Sequence, residues 1–252
     1  MYQSRAAIAV VPLVLTLGAA LGAPAYAADS TAHNGQHRSF VKERALVHGH
    51  GSADAKPYGS CSLIVPSAVR VVSSGRAVPV RLTGGCTLHP DVYSGWYVGS
   101  YDDPADYIFF GGVNRTSWQL FAFTPLGTRT WTPDAASDVD DHVYSQNLPQ
   151  TTVKVGSWAG LWTSRKGSKV TVNTRTVRYS TARDVNIPWT STTGIIQYRP
   201  AGGSAWSILK QVTTNSAGNA SYTYTSSAKR DYRVVYGEAA YVWGATSPTS
   251  QR

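Results

Sequence analysis

The 252-residue sequence predicts an all-β protein of two small sandwich domains. Three observations carry this. Beyond the first 27 positions, apolar residues recur at every second place in short runs, the period of a strand that buries one face. Gly, Pro, Asn and Ser punctuate these runs, and stretches with helical spacing are hardly found. Without those 27 positions, 225 residues are left, enough for two sandwiches of about 100 residues each.

The N-terminus sets the compartment. Arg5 precedes an unbroken apolar or small run over residues 6–22, followed by Pro24 and the small-x-small triplet Ala25, Tyr26, Ala27. This pattern predicts a secretory signal at 1–27 with cleavage after Ala27. A membrane anchor is the competing reading, but the strongly apolar run is shorter than the ~20 residues a spanning helix needs. No later segment is apolar enough to cross a bilayer, so the mature chain is expected to be soluble outside the cytoplasm. Residues 28–57 lack an apolar period and read as a flexible leader. His33, His37, His48 and His50 lie here. Such a tract can hold a transition metal, but imidazoles without an ordered supporting shell make a poor site, and a solvated tail is the expectation.

The first β domain is expected over 58–156. Val69 and Val71 flank Arg70, and Val78, Val80 and Leu82 alternate with Pro79 and Arg81, which predicts two half-buried strands. Cys61 and Cys86 are the only cysteines. In an exported chain, a pair with none left over predicts one disulfide. Closing that loop stabilises the domain by roughly 3.5 kcal/mol in the chain-entropy account. With two sulfurs and no clustered histidines beside them, structural zinc is not expected. An aromatic region from Tyr93 to Trp131 follows, and residues 153–155 read as the closing strand.

The second domain is expected over 157–252. Val170 and Val172, then Ala220, Tyr222 and Tyr224, then Tyr232, Val234 and Tyr236 keep the period of two. Reversals are expected at residues 201–203 and 215–219, where Gly and Asn gather. Strands at this spacing suggest a sandwich of the immunoglobulin kind, with Tyr232 either as its tyrosine corner or as a plain core tyrosine.

Residues 176–181 (Thr-Val-Arg-Tyr-Ser-Thr), Trp189, residues 197–199, Trp206, residues 212–214, Gly218, residues 222–224 and residues 231–233 resemble the C-terminal immunoglobulin-like domain of exported proteins common in high-GC Gram-positive bacteria. In those proteins a disulfide-closed domain precedes it, a place that Cys61 and Cys86 match. The resemblance covers nearly all of the mature chain and consists of structural strand positions. It implies fold and export, and brings no catalytic residue with it.

Charge divides the mature chain. Residues 58–150 carry five Lys and Arg against eight Asp and Glu, whereas residues 151–252 carry thirteen against three. A field of that sign holds a protein near anionic polymers, although an acidic first domain also attracts it. The acids of the middle form two groups, Asp102, Asp103 and Asp106, then Asp134, Asp138, Asp140 and Asp141. Clustered carboxylates suit Ca²⁺, so the second group is the candidate metal site; the spacing lacks the turn Gly and closing Glu of the helix-flanked calcium loop, and a solvated acidic loop is the competing reading. Paired carboxylates, or His89 or His142 as a base, also suit a polysaccharide hydrolase. Residues 156–160 put their serine one place too early for a nucleophile elbow, and no His-Glu-x-x-His or phosphate-binding Gly-Lys loop occurs. The expectation is therefore an exported, non-catalytic binding or envelope-associated protein whose basic domain meets anionic cell-wall polymer or another extracellular protein. A secreted polysaccharide hydrolase is the alternative. Nucleic acid is not an expected partner, despite pairs such as Tyr198 with Arg199 that can stack on bases.

Overall fold

A computed structural model describes residues 57–252. The expected signal, almost all of the expected leader and its four histidines lie outside the described residues. The described residues hold nineteen strands and one 3-10 turn, with no α-helix among them.

The first ten strands are β1 (Gly59–Ile64), β2 (Ala68–Val71), β3 (Arg76–Thr83), β4 (Tyr93–Gly99), β5 (Pro104–Gly111), β6 (Arg115–Leu120), β7 (Gly127–Thr130), β8 (Thr132–Ser137), β9 (Tyr144–Gln146) and β10 (Gln150–Val155). They pair in the orders β6-β3-β1-β9, β2-β10-β7 and β5-β4-β8. On β3, Val78, Val80 and Leu82 are buried, and the residues between them are exposed. Pro79 is tolerated because β1 pairs only with residues 81–83, so at Pro79 the strand is bonded on its β6 side alone. The β1–β9 and β2–β10 pairings are parallel and bring the end of this unit onto its beginning. Cys61 on β1 and Cys86 in the turn Gly85–Leu88 form the disulfide, with Cα atoms 5.4 Å apart and both residues buried.

Trp96, Trp118 and Trp131 fill the core, and each buried indole N–H has an acceptor. Trp96 donates to the Asn147 carbonyl at 3.0 Å, Trp131 to Thr151 Oγ1 at 3.1 Å and Trp118 to Asp106 Oδ1 at 3.0 Å. Trp118 meets Trp131 edge to face, with ring centres 5.1 Å apart. Asp106 also takes a hydrogen bond from Arg129, and both side chains are enclosed. Arg129 donates in addition to the Pro125 carbonyl at 2.7 Å. Burial pushes the Asp106 carboxyl up, to about 6, against the opposing pull of the guanidinium and the indole. One of the seven grouped acids is thus part of the hydrophobic core.

The second unit comprises β11 (Ser157–Lys166), β12 (Lys169–Ser180), β13 (Val185–Pro188), β14 (Thr193–Pro200), β15 (Ser207–Thr213), β16 (Asn219–Thr225), β17 (Arg230–Tyr236), β18 (Ala245–Thr246) and β19 (Ser250–Gln251). β12 pairs with β11 on one side and with β13 and β16 on the other; β14 lies between β15 and β17, and β17 carries β18 and β19. The chain leaves the first sheet after β13, returns to it for β16 and leaves again, the crossing order of an immunoglobulin-like sandwich. Val170, Val172, Thr174 and Thr176 face Ile196, Tyr232, Val234 and Tyr236 across the core. At the reversal before β16, Asn215 Oδ1 accepts the amides of Ala217 and Asn219 at 2.9 and 3.0 Å. Gly218 follows at φ 74°, where a Cβ would meet the Thr176 carbonyl oxygen at 2.4 Å. Tyr232 is fully buried, but its hydroxyl meets that of Tyr224 at 2.7 Å instead of an upstream backbone group, so it is a core tyrosine and not a tyrosine corner.

The buried pair generates a stability prediction. Asp106→Asn leaves the Arg129 charge enclosed without a counter-ion and is expected to cost about 3–5 kcal/mol in urea unfolding. The double change Asp106→Leu with Arg129→Met is expected to recover most of that loss, because it removes both charges together. A loss below about 1 kcal/mol for the single variant contradicts the role given to this pair.

Candidate functional site

The acidic middle of the sequence resolves into separate structural tasks. Asp134 lies on β8 and its Oδ2 accepts the Tyr107 hydroxyl at 2.7 Å. Asp138 follows β8 and is buried. Its Oδ1 accepts the amides of Asp140 and His142 at 3.1 and 2.9 Å; its Oδ2 accepts the Tyr144 hydroxyl at 2.9 Å and faces His142 Nδ1 at 3.0 Å. Asp140 and Asp141 are exposed at the tip of the turn, Asp141 with φ 61°. Both oxygens of Asp138 thus face donors that close a tight reversal, where a calcium ligand would present them to a cation. Among the described residues no three His, Cys, Asp or Glu groups are gathered so as to hold a metal ion. Asp134, Asp138, Asp140 and Asp141 are thus not gathered into one such group among the described residues.

Burial works to raise the Asp138 carboxyl. The His142 amide, the Tyr144 hydroxyl and the His142 ring outweigh it and hold the group below its ordinary value. The network was not read from the sequence, although an Asp starting a polar reversal four residues before a His is a signal for it.

The hydrolase alternative finds little to stand on. Asp106 is in the core, and near Asp102 and Asp103 the Ser100 hydroxyl closes the turn by donating to the Asp103 carbonyl at 3.1 Å. His142 stacks on Tyr58 with ring centres 4.2 Å apart, and Tyr58 meets His89 edge-on at 5.7 Å. Among the described residues no serine, threonine or cysteine hydrogen-bonds the His142 ring. A cavity of about 550 Å³ is lined by His89, Arg115 and mostly apolar neighbours, with no carboxylate in its wall. Glycoside hydrolysis by the two-carboxylate route needs a pair of acids there.

The second unit is different, because its three acids are all engaged. Asp184 accepts from Tyr179 and from the Ser74 hydroxyl at 2.9 Å, bonds that lower its pKa, Tyr179 first. Asp231 accepts from Gln251 at 2.9 Å and from Arg199 at 3.1 Å, and is lowered too, chiefly by Gln251. Glu238 pairs with Lys154 at 2.9 Å. Among the described residues, ion pairs over residues 151–252 take up only Lys154 and Arg199, which leaves eleven of the thirteen cations of that stretch. Several cations of this half, ion-paired or not, lie on aromatic rings. Arg199 and Arg233 sit 4.5 and 4.4 Å from the Trp206 ring, and Arg230 lies 4.3 Å from Tyr198. These partners are distant in sequence, Trp206 from the connection before β15 and Tyr198 across the β14–β17 pair, and are not the sequence neighbours Tyr198 with Arg199. At the end of the unit Arg165, Lys229 and Arg252 line an open concavity of about 680 Å³.

No protein-family model matches the chain, and no curated protein matches it. Among solved structures it is similar to bovine butyrophilin at 10% identity, covering 76% of this chain and 98% of that one with a TM-score of 0.36. It is similar to the D00-D0 domain of intimin at 14% identity, covering 76% and 98%, with a TM-score of 0.25. With the trypsin-activated alpha-2-macroglobulin of Escherichia coli it shares 12% identity and a TM-score of 0.28, spanning 77% of this chain and only 15% of that one. At TM-scores below 0.5 these likenesses add nothing to what the strand order establishes.

Two outcomes follow for the turn. The hydrogen bonds of Asp138 stabilise the fold above its unfolded pKa, near 4, and that contribution is lost as pH falls through the lower folded value. Asp138→Ala is expected to cost about 2–4 kcal/mol at pH 7 and to flatten the loss of stability on acidification, read by chemical unfolding at several pH values. Thermal melts in chelator, millimolar calcium and millimolar magnesium are expected to coincide, since a ligand of the folded state at a hundred times its Kd adds about 2.7 kcal/mol.

Proposed function

We propose that this chain is an exported, non-catalytic binding protein of the cell envelope whose second sandwich holds anionic cell-wall polymer. The observation that carries this is the spent state of the acids: twelve cations share the second unit with three carboxylates, and each carboxylate is hydrogen-bonded within the fold. Internal pairing therefore does little to cancel the positive field, which extends outward to whatever anion lies near. The N-terminal signal pattern and the resemblance to exported two-domain proteins supply the compartment in which such polymers occur. The disulfide suits the same oxidising destination. A protein partner would meet the same field, but a repeating polyanion matches a cationic surface that is distributed and not focused in one cleft.

Sedimentation of the mature protein with purified Gram-positive cell walls tests this. Binding is expected at low ionic strength and is expected to fall steadily as salt shortens the screening length from about 10 Å at 0.1 M to about 3 Å at 1 M. Absence of binding at low salt, or binding that salt does not weaken, contradicts it.

A further inference from the structure

The outward side of the β11–β12–β16 sheet is unlike the rest of the surface. Along β11 the residues at 157, 159, 161, 163 and 165 turn inward, and Trp158, Gly160, Trp162, Ser164 and Lys166 are exposed on the other side. Trp158 keeps 38% and Trp162 50% of its surface in solvent. Four residues apart on one strand, their attachment points are about 13 Å from each other. Between them Gly160 has nothing closer than the Arg175 carbonyl oxygen, 3.8 Å from where a Cβ would sit. The two attachment points therefore flank a trough over Gly160, and the Trp158 ring leans along the strand with its far edge 3.3 Å from where a Gly156 Cβ would sit.

Cross-strand register puts a cation beside that trough. Arg175 on β12 pairs with Gly160, Asn173 with Trp162 and Thr171 with Ser164; Lys166 and Lys169 face each other at the sheet end. Arg175 is exposed, and no ion pair engages it among the described residues. On its other side β16 presents Asn219, Ser221 and Thr223. No Asp or Glu occurs in β11, β12 or β16. The face thus combines two separated flat apolar rings, a central guanidinium, short hydroxyl and amide side chains and no negative charge.

We propose that this face is the contact surface for a sugar chain bearing anionic groups. The assignment rests on the wall-binding function proposed above. Sugar rings present apolar C–H faces that lie flat on an indole, while their hydroxyls reach the Thr, Ser and Asn side chains of the neighbouring strands. Arg175 meets a carboxylate or phosphate carried on the chain, with the guanidinium geometry that suits either. Two tryptophans whose attachment points are about 13 Å apart are spaced for a chain and not for a single sugar. Stacking gives the face a preference for sugar that charge alone does not supply, because a bare polyanion gains nothing from the tryptophans.

The same wall sedimentation, run on variants, tests the assignment separately from the function. Trp158→Ala with Trp162→Ala is expected to weaken binding by about tenfold or more, and Arg175→Ala by a few-fold with a shallower salt dependence. Gly160→Thr places a branched side chain in the trough and favours the strand; it is expected to weaken binding while the melting temperature stays level or rises. Ile208→Ala, on the opposite sheet, is expected to bind like the wild type. Polyphosphate, anionic but without sugar rings, is expected to compete less well per charge than soluble wall glycan strands that retain their anionic polymer. Failure of the wild type to sediment overturns the function and this assignment with it. Sedimentation of the wild type with unchanged binding by the folded double tryptophan variant leaves the function standing and overturns the face; equal competition by polyphosphate overturns the stacking.

Discussion

The described structure depends on the few residues where the first unit passes into the second. β10 ends at Val155, Gly156 makes the crossing and β11 begins at Ser157. The Gly156 amide donates to the Val71 carbonyl at 2.8 Å, and its own carbonyl accepts from Tyr179 at 2.8 Å, so one residue is bonded into both units. A Cβ there would stand 2.8 Å from Val72 Cγ1 and 3.2 Å from Arg70 Cγ. β7 pairs only with residues 150–153, which leaves the β10 edge open at Val155. Residues 241–243 of the second unit fill it: the Val155 amide donates to the Tyr241 carbonyl at 2.9 Å, and the Trp243 amide to the Val155 carbonyl at 3.0 Å. Arg70 then spans the seam with hydrogen bonds to the carbonyls of Ser157 and Gly244 at 3.1 and 3.0 Å, and the Trp243 indole donates to the Val69 carbonyl at 3.0 Å.

This seam also accounts for the electrostatics of the second unit. Two of its three carboxylates are used there, Asp184 on Ser74 and Glu238 on Lys154. The third, Asp231, ties Arg199 and the last strand to β17. The acids are thus spent on docking and on closing the sandwich, and the outward side of the β11–β12–β16 sheet is left to lysine, arginine, uncharged polar groups and the two indoles. The positive field follows from the scarcity of acids in this part of the chain.

Much of the fold was legible because burial on one face imposes a period of two. Val78, Val80 and Leu82, Val170 and Val172, and Tyr232, Val234 and Tyr236 all point inward as that period predicts. The disulfide was legible because two cysteines leave a single pairing. What escaped depends on contacts between residues far apart in the chain. Asp106 reads as one more surface acid until Arg129, 23 positions on, closes over it in the core. The parallel pairings of β1 with β9 and β2 with β10 join segments some eighty residues apart, and no local pattern encodes their register. Asp138 was noticed for its charge, whereas its task is set by the amides and hydroxyl that converge on it. Trp158 and Trp162 went unremarked in the sequence, and only the strand register places Arg175 between them.

If the seam joins the two units as its hydrogen bonds indicate, the seam and both cores are lost together on heating. Differential scanning calorimetry of the mature protein is the direct measurement. The account predicts one transition in which calorimetric and van't Hoff enthalpies agree, giving way in Arg70→Ala to two transitions or to a calorimetric enthalpy well above the van't Hoff value. Two resolved transitions in the wild type would contradict it, since the units would then unfold independently across a seam that contributes little.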